Sequence, residues 1–344
     1  MRKKGLLTLV TSISLCLLLA APSLAQVIKL TYSSQNSQMG WGPVHADQPW
    51  LKKVEEATKG RVKTEAYWSQ TLAKGPETWN AVKTGVADMG WCVHGYWPGM
   101  TPLTDVINLP ALPFKTGEKA SEVLWRLYEK FPEFRNQFKD VHMLIMHTSA
   151  PYFIITTKKQ VKTLEDIKGL KLRALGGVAS EQMKAYGAIP VLIPMPDVYL
   201  ALQKGIIDGM AAPWEATLAF RFYEIVKYYT MVPMSGAGLD SVPMNKQKWD
   251  SLPKDIQQAI MSVSGLEGSK FWGHNFFDTA EQGLLERIKQ GNYQMVRYTP
   301  PPEELQRWVE ACKPIWKEWV KSTEAKGYSS AQQVLDSALE IFKQ

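Results

Sequence analysis

Two ten-residue stretches, 120 residues apart, constrain the fold of this chain more than any other feature. Ala81-Val-Lys-Thr-Gly-Val-Ala-Asp-Met-Gly90 and Ala201-Leu-Gln-Lys-Gly-Ile-Ile-Asp-Gly-Met210 each end a helix, turn at glycine, pass a small or β-branched pair and enter a strand at aspartate. Glycine suits a helix C-cap because it adopts the left-handed conformation without a Cβ penalty. A single match of this kind is common. Here each copy closes a longer run of alternating strands and helices, so the chain reads as two similar α/β domains.

The first run begins with a strand over Val27–Ser34 and a helix over His45–Lys59 that carries Trp50, Val54 and Ala57 on one face and stops at Gly60. A strand over Val62–Trp68 follows, then a helix opened by Pro76 and a strand over Ala87–Val93. The second run has a strand over Tyr152–Thr157, a capped turn at Thr163–Ile167, a strand over Leu170–Leu175 and a helix over Val178–Tyr186. A strand over Ile189–Ile193 and a helix between Asp197 and Gly205 complete it. Both runs predict parallel sheet cores. The last third is helical, with one long helix expected from Leu252 towards Gln290 and an amphipathic one over Glu303–Lys326 that Pro314 should kink.

At 344 residues, two domains are the natural division. The first 25 residues read as a cleaved export signal: Arg2, Lys3 and Lys4, an apolar stretch over Leu6–Ala21, and small residues at Ser23-Leu-Ala25. Leu15 before Cys16 argues against a lipoprotein. Setting those three cations aside lowers the formal charge of +7 to about +4, with Lys and Arg scattered rather than striped, so nucleic acid is not an expected partner. Cys92 and Cys312 remain after cleavage. A disulfide is open to them, but two buried thiols are the expectation.

Catalytic signatures are missing from the sequence. It has no G-x-S-x-G elbow, no phosphate-binding G-x-x-x-x-G-K loop and no H-E-x-x-H. Its five histidines have no metal-pair spacing and read as structural or solvated. No cofactor and no metal are expected.

The strand over Leu170–Leu175 carries Arg173 near its carboxyl end and runs into Gly176-Gly177. Ligands of open α/β sheets bind at such ends, and a guanidinium there is a fork for a carboxylate. A surface arginine paired with Asp or Glu is the competing reading. Trp214 follows a strand end and a proline, placing it either in a cleft or in interdomain packing. Glu215 either anchors a surface pair or faces a ligand. Trp68, Gln70 and Trp91 stand at strand ends of the first domain, where cleft and core are equally open.

These motifs together resemble the solute-binding components of tripartite ATP-independent periplasmic (TRAP) transporters, in the dicarboxylate-binding-protein-like family. Glu165-Asp-Ile-Lys-Gly-Leu-Lys-Leu-Arg173 is similar to the family's arginine strand, and Lys204-Gly-Ile-Ile-Asp-Gly209 to its helix-to-strand turn. Ser69-Gln-Thr-Leu72, Leu109-Pro-Ala-Leu-Pro-Phe114 and Asn245-Lys-Gln-Lys-Trp-Asp-Ser-Leu-Pro253 match further landmarks. The resemblance implies an α/β, two-lobe periplasmic-binding-protein fold with hinge strands and long C-terminal helices. It implies a small organic acid clamped by Arg173 and passed to one small and one large membrane subunit, in the periplasm. The expected lobes are 26–150 plus 240–278, and 151–239 plus 279–344. Two departures stand out: a second family arginine is missing near Phe153, and Ala212 replaces an asparagine. These point away from dicarboxylates and towards a monocarboxylate, aromatic or a short 2-oxo or 2-hydroxy acid, with Phe153 and Trp214 lining the pocket. An exported enzyme acting on an organic acid, or a binding protein serving a chemoreceptor, are the alternatives.

Overall fold

The computed structural model describes residues 27–232 and 238–344. The expected export signal, and residues 233–237 just before the expected lobe boundary at 239–240, lie outside the described residues. In chain order the strands are β1 (Ile28–Ser33), β2 (Val62–Tyr67), β3 (Met89–Gly90), β4 (Cys92–Val93), β5 (Val141–Thr148), β6 (Phe153–Thr156), β7 (Lys171–Arg173), β8 (Ile189–Val191), β9 (Gly209–Ala212), β10 (Tyr228–Thr230), β11 (Leu239–Asn245) and β12 (Val296–Tyr298).

They form two six-stranded sheets, one per lobe. The first runs β2-β1-β3-β11-β4 with β5 also on β11, and the second runs β12-β10-β6-β9-β7-β8. The parallel cores expected from the two runs are present as β2-β1-β3 and β8-β7-β9. Beyond each core the sheet turns antiparallel: β11 pairs antiparallel with β3, and β6 with β9. The reason is connectivity. β6 directly follows β5 of the first lobe, and β11 follows β10 of the second, so each sheet receives a strand that has just crossed between lobes. A crossing strand entering from the far side runs against the core.

The two repeated stretches build the same turn. Gly85 and Gly205 both have left-handed φ, +80° and +68°. The Asp88 carboxylate accepts from the Thr31 backbone N–H at 2.8 Å, and that of Asp208 accepts from the Lys171 N–H at 2.9 Å. Each aspartate thereby ties its own strand to the neighbouring parallel strand, two residues before that strand's end.

The long helix expected from Leu252 is broken. Helices Lys254–Met261 and Gly265–Trp272 are separated at Gly265, where φ is +61°. From Gly265 the chain continues through a π-helical turn, Gly273–Asp278, into Ala280–Gly291. That stretch spans both lobes, packing on helix Gly117–Lys130 at one end and helix Trp214–Ala219 at the other. The assignment of residues 279–344 to the second lobe also needs correction. Helix Ala331–Phe342 packs on Gly117–Lys130 of the first lobe, Phe342 stacks on Phe114 at 5.4 Å, and the Trp319 indole donates to Pro102 O. The helix is interrupted at Lys313–Pro314, as the proline predicts: Pro302–Cys312 lies on the second lobe and Pro314–Ala325 leads to the first. Cys92 and Cys312 are buried free thiols.

Candidate functional site

The carboxyl ends of β1 and β7 face one another across the interlobe cleft. The lobes touch closely there. Gly176 N–H donates to Gly95 O at 3.1 Å, and a Cβ on Gly176 would stand 2.1 Å from Pro98 Cγ. Tyr96 adds a bridge: its hydroxyl donates to Gln35 Oε1 at 3.2 Å and accepts from the Met195 N–H at 2.9 Å. The cleft is therefore closed. It encloses a cavity of about 30 Å³, room for about two waters.

Arg173 lies on the cavity wall with 1% of its surface exposed. Its Nε donates to Ile193 O at 3.1 Å, which fixes the guanidinium plane, while buried Nη1 has no partner. Glu215 lines the same cavity from the first turn of helix Trp214–Ala219, and its buried Oε1 also has no partner. Asn36, in the loop after β1, contributes a third unpartnered buried atom, Nδ2. Buried polar groups are nearly always paired, so three unpaired ones around a closed cavity mark a site built for something else to complete.

Electrostatics sharpen this picture. Burial, and then the nearby charge of Asp47, push the Glu215 carboxyl up to about 8. Asp240, on crossing strand β11, is raised well above the carboxylate range by burial and by Glu215, with Arg173 opposing. Burial also raises the hydroxyls of Tyr96 and Tyr152. Behind the wall, burial lowers His147 to about 3, so it stays neutral, and the Trp91 indole donates to its Nε2 at 3.0 Å. Among the described residues lining the cavity, Arg173 is the single cation.

The structure brings Arg173, Glu215 and Trp91 together at the cavity and separates the other four candidates from it. Phe153 and Trp214 do not line the cavity. Their rings pack at a 44° tilt with centroids 3.9 Å apart in the second lobe's core, with Tyr229 at 5.6 Å from Trp214 and the Arg297 guanidinium 5.1 Å from the Trp214 ring. The cause is strand and helix geometry. Successive strand residues point to opposite faces, so Tyr152 reaches the cavity and Phe153 the core. Glu215, one residue beyond Trp214 on its helix, is rotated about 100° from it and takes the cavity side.

Trp68 is half-buried, edge-on to Tyr32 at 5.8 Å, beside an outer surface hollow. Gln70 accepts from the Gly75 N–H through its side chain. Its backbone N–H donates to Ser34 O, and that of Ser69 to Asn36 O, so this left-handed pair braces the loop that carries Gln35 and Asn36. Asp240, Tyr96, Tyr152, Gln35, Asn36 and Phe277 are lining residues that the sequence reading did not identify. The available signal was topological: Asp240 and Tyr152 both belong to the interlobe crossovers.

A family model, bacterial extracellular solute-binding protein, family 7, matches residues 43–323. The C4-dicarboxylate-binding periplasmic protein DctP of Rhodobacter capsulatus is 25% identical, over 90% of this chain and 92% of its own. Among solved structures, a TRAP solute-binding protein from Rhodoferax ferrireducens T118 in complex with copurified benzoate has a TM-score of 0.86 and 26% identity, covering 92% of this chain and 98% of its own. One from a marine metagenome, specific for aromatic acid ligands and holding 3-hydroxybenzoate, has a TM-score of 0.85 and 28% identity, covering 92% and 98%.

Proposed function

This chain belongs to family 7 of the bacterial extracellular solute-binding proteins, a TRAP-type family of receptors for organic acids, and from that premise we propose that it captures a small monocarboxylate between its lobes through Arg173. The observation that carries the reading is the partnerless Nη1 of a buried arginine at a strand end, facing a closed interlobe cavity. A carboxylate accepting from it would complete a charge-assisted bond in a low-dielectric site.

The remaining charges favour one carboxylate over two. Arg173 is the one cation among the described lining residues, so a second ligand carboxylate would find no second guanidinium to pair with. Benzoate and 3-hydroxybenzoate in the related structures support an aromatic body, and Trp91 and Phe277 offer rings for it. An acid of that size exceeds the present cavity, so its entry would displace lining side chains such as Phe220 and Met195 or hold the lobes further apart.

Binding, rather than catalysis, is the role we assign. Its family is one of solute-binding proteins, and the related structures hold their acids as bound ligands. The protein would act in the periplasm and pass its ligand to one small and one large membrane subunit.

Thermal melting with succinate, malate, pyruvate, lactate, benzoate and phenylacetate tests the reading. A ligand at a hundred times its Kd stabilises the folded state by about 2.7 kcal/mol. The monocarboxylates should raise the melting temperature more than succinate or malate. Tightest binding by the dicarboxylates would overturn the one-carboxylate site, and no shift with any acid would overturn the receptor reading.

A further inference from the structure

We propose that Glu215, with Asp240 beside it, reads a hydroxyl on the captured acid, so that the cavity prefers hydroxy-monocarboxylates to the same acids without the hydroxyl. This rests on the carboxylate reading of Arg173 and adds a second contact to it.

The argument starts from the three unpartnered buried atoms. Arg173 Nη1 and Asn36 Nδ2 are both donors, and a ligand carboxylate offers acceptors to both. Glu215 Oε1 is different. It belongs to a carboxyl group, is buried on the same wall, and is satisfied by no protein group. Leaving such an atom unpaired is costly. Among the described lining residues, the Tyr96 hydroxyl is engaged on both sides, with Gln35 and with Met195, and that of Tyr152 is bonded to Ser149. A ligand can supply the completing group.

A hydroxyl is the group that fits. It donates one hydrogen bond and accepts others, so it can meet a carboxyl in either protonation state. Burial raises both Glu215 and Asp240, and with Glu215 at about 8 its carboxyl keeps its proton at pH 7 and repels the carboxylate held by Arg173 less than an ionised group would. The two ends of the site then come from different elements: Arg173 from β7, and the acidic pair from helix Trp214–Ala219 and crossing strand β11. An acid without the hydroxyl would satisfy the basic end and leave the acidic end unpaired.

Calorimetry at pH 7 with matched pairs tests this on the full mature chain: benzoate against 3-hydroxybenzoate, phenylacetate against mandelate, propionate against lactate. In any pair that binds, the hydroxy acid should be tighter by roughly 10–100-fold, the range expected when a buried polar group gains its partner. Glu215→Leu should bring that ratio close to one, and Glu215→Gln, which keeps an acceptor and a donor, should retain part of it. Circular dichroism melting checks that each variant folds, and the wild-type pairs alone decide the matter if a variant does not. Pairs within about threefold of one another, a difference too small for a buried hydrogen bond, overturn the hydroxyl assignment while leaving the carboxylate site standing. Discrimination that vanishes on adding sodium or calcium overturns it as well, assigning Glu215 to a cation. Failure of every acid to bind would overturn both readings together.

Discussion

The two lobes share a frame and differ in one decisive side chain. In the first, Ser33 pairs with Gly90 at the end of β1; in the second, Arg173 pairs with Met210 at the end of β7. The repeat makes Gly90 and Met210 equivalent, so Ser33 and Arg173 occupy the same station. The surrounding order is also shared: β2-β1-β3-β11 in one lobe and β8-β7-β9-β6 in the other. Asp88 and Asp208 tie the same station, two residues before the strand end. Only one lobe places a cation at the cleft. The other supplies amides and aromatic rings, Gln35, Asn36, Tyr96 and Trp91. A duplicated scaffold can thus hold an asymmetric ligand, because the aspartate ties fall two residues before the strand-end position and leave that side chain free to differ.

The exchange with the largest expected effect copies one lobe into the other. Arg173→Ser should cost roughly 2–5 kcal/mol of ligand binding, as for removing one partner of a buried charge pair. Arg173→Lys should not restore it, because an ammonium does not reproduce the planar donor set. Calorimetry with the best acid from the panel reads both, and near-native affinity in either variant would remove Arg173 from the site.

A smaller and symmetric effect is expected at the frame. Asp88→Ala and Asp208→Ala should each lower folding stability by about 1–3 kcal/mol, because a backbone N–H loses its acceptor. Ligand affinity should stay within about threefold, since neither carboxylate lines the cavity. Denaturant melts and calorimetry measure the two quantities separately. Loss of affinity without loss of stability at either position would break the division between frame and cleft.

The smallest effect is a pH dependence confined to the cleft. Glu215 is raised from 4.5 to about 8. Below about 4.5 its carboxyl is protonated whether the chain is folded or not. Between 4.5 and 8 the unfolded chain releases the proton and the folded one keeps it, so this group's contribution to stability falls as pH rises through that window. Asp240 and Asp47 are raised in the same direction. Glu215→Gln should therefore flatten the decline in melting temperature between pH 5 and pH 8 relative to the parent chain. An unchanged slope would mean that Glu215 is hydrated, not buried, in solution.

Periodicity and spacing determined a good deal by themselves. The alternation of Leu170, Leu172 and Ala174, the glycines at 85 and 205 and the repeated aspartates are local features, and local chemistry is enough to make two α/β units and to put Arg173 at a strand end. The break at Pro314 was legible for the same reason. Tertiary structure decided the rest. Whether Phe153 or Tyr152 faces the cleft depends on which side of the sheet the other lobe lies, and a one-residue step reverses the answer. Where Ala331–Phe342 docks depends on a partner more than 200 residues away in sequence, Gly117–Lys130. Asp240 becomes a cavity residue only because its strand crosses between lobes and pairs with β4 and β5. No pattern within a short window records such a contact, because the residues that make it are brought together by the path of the whole chain.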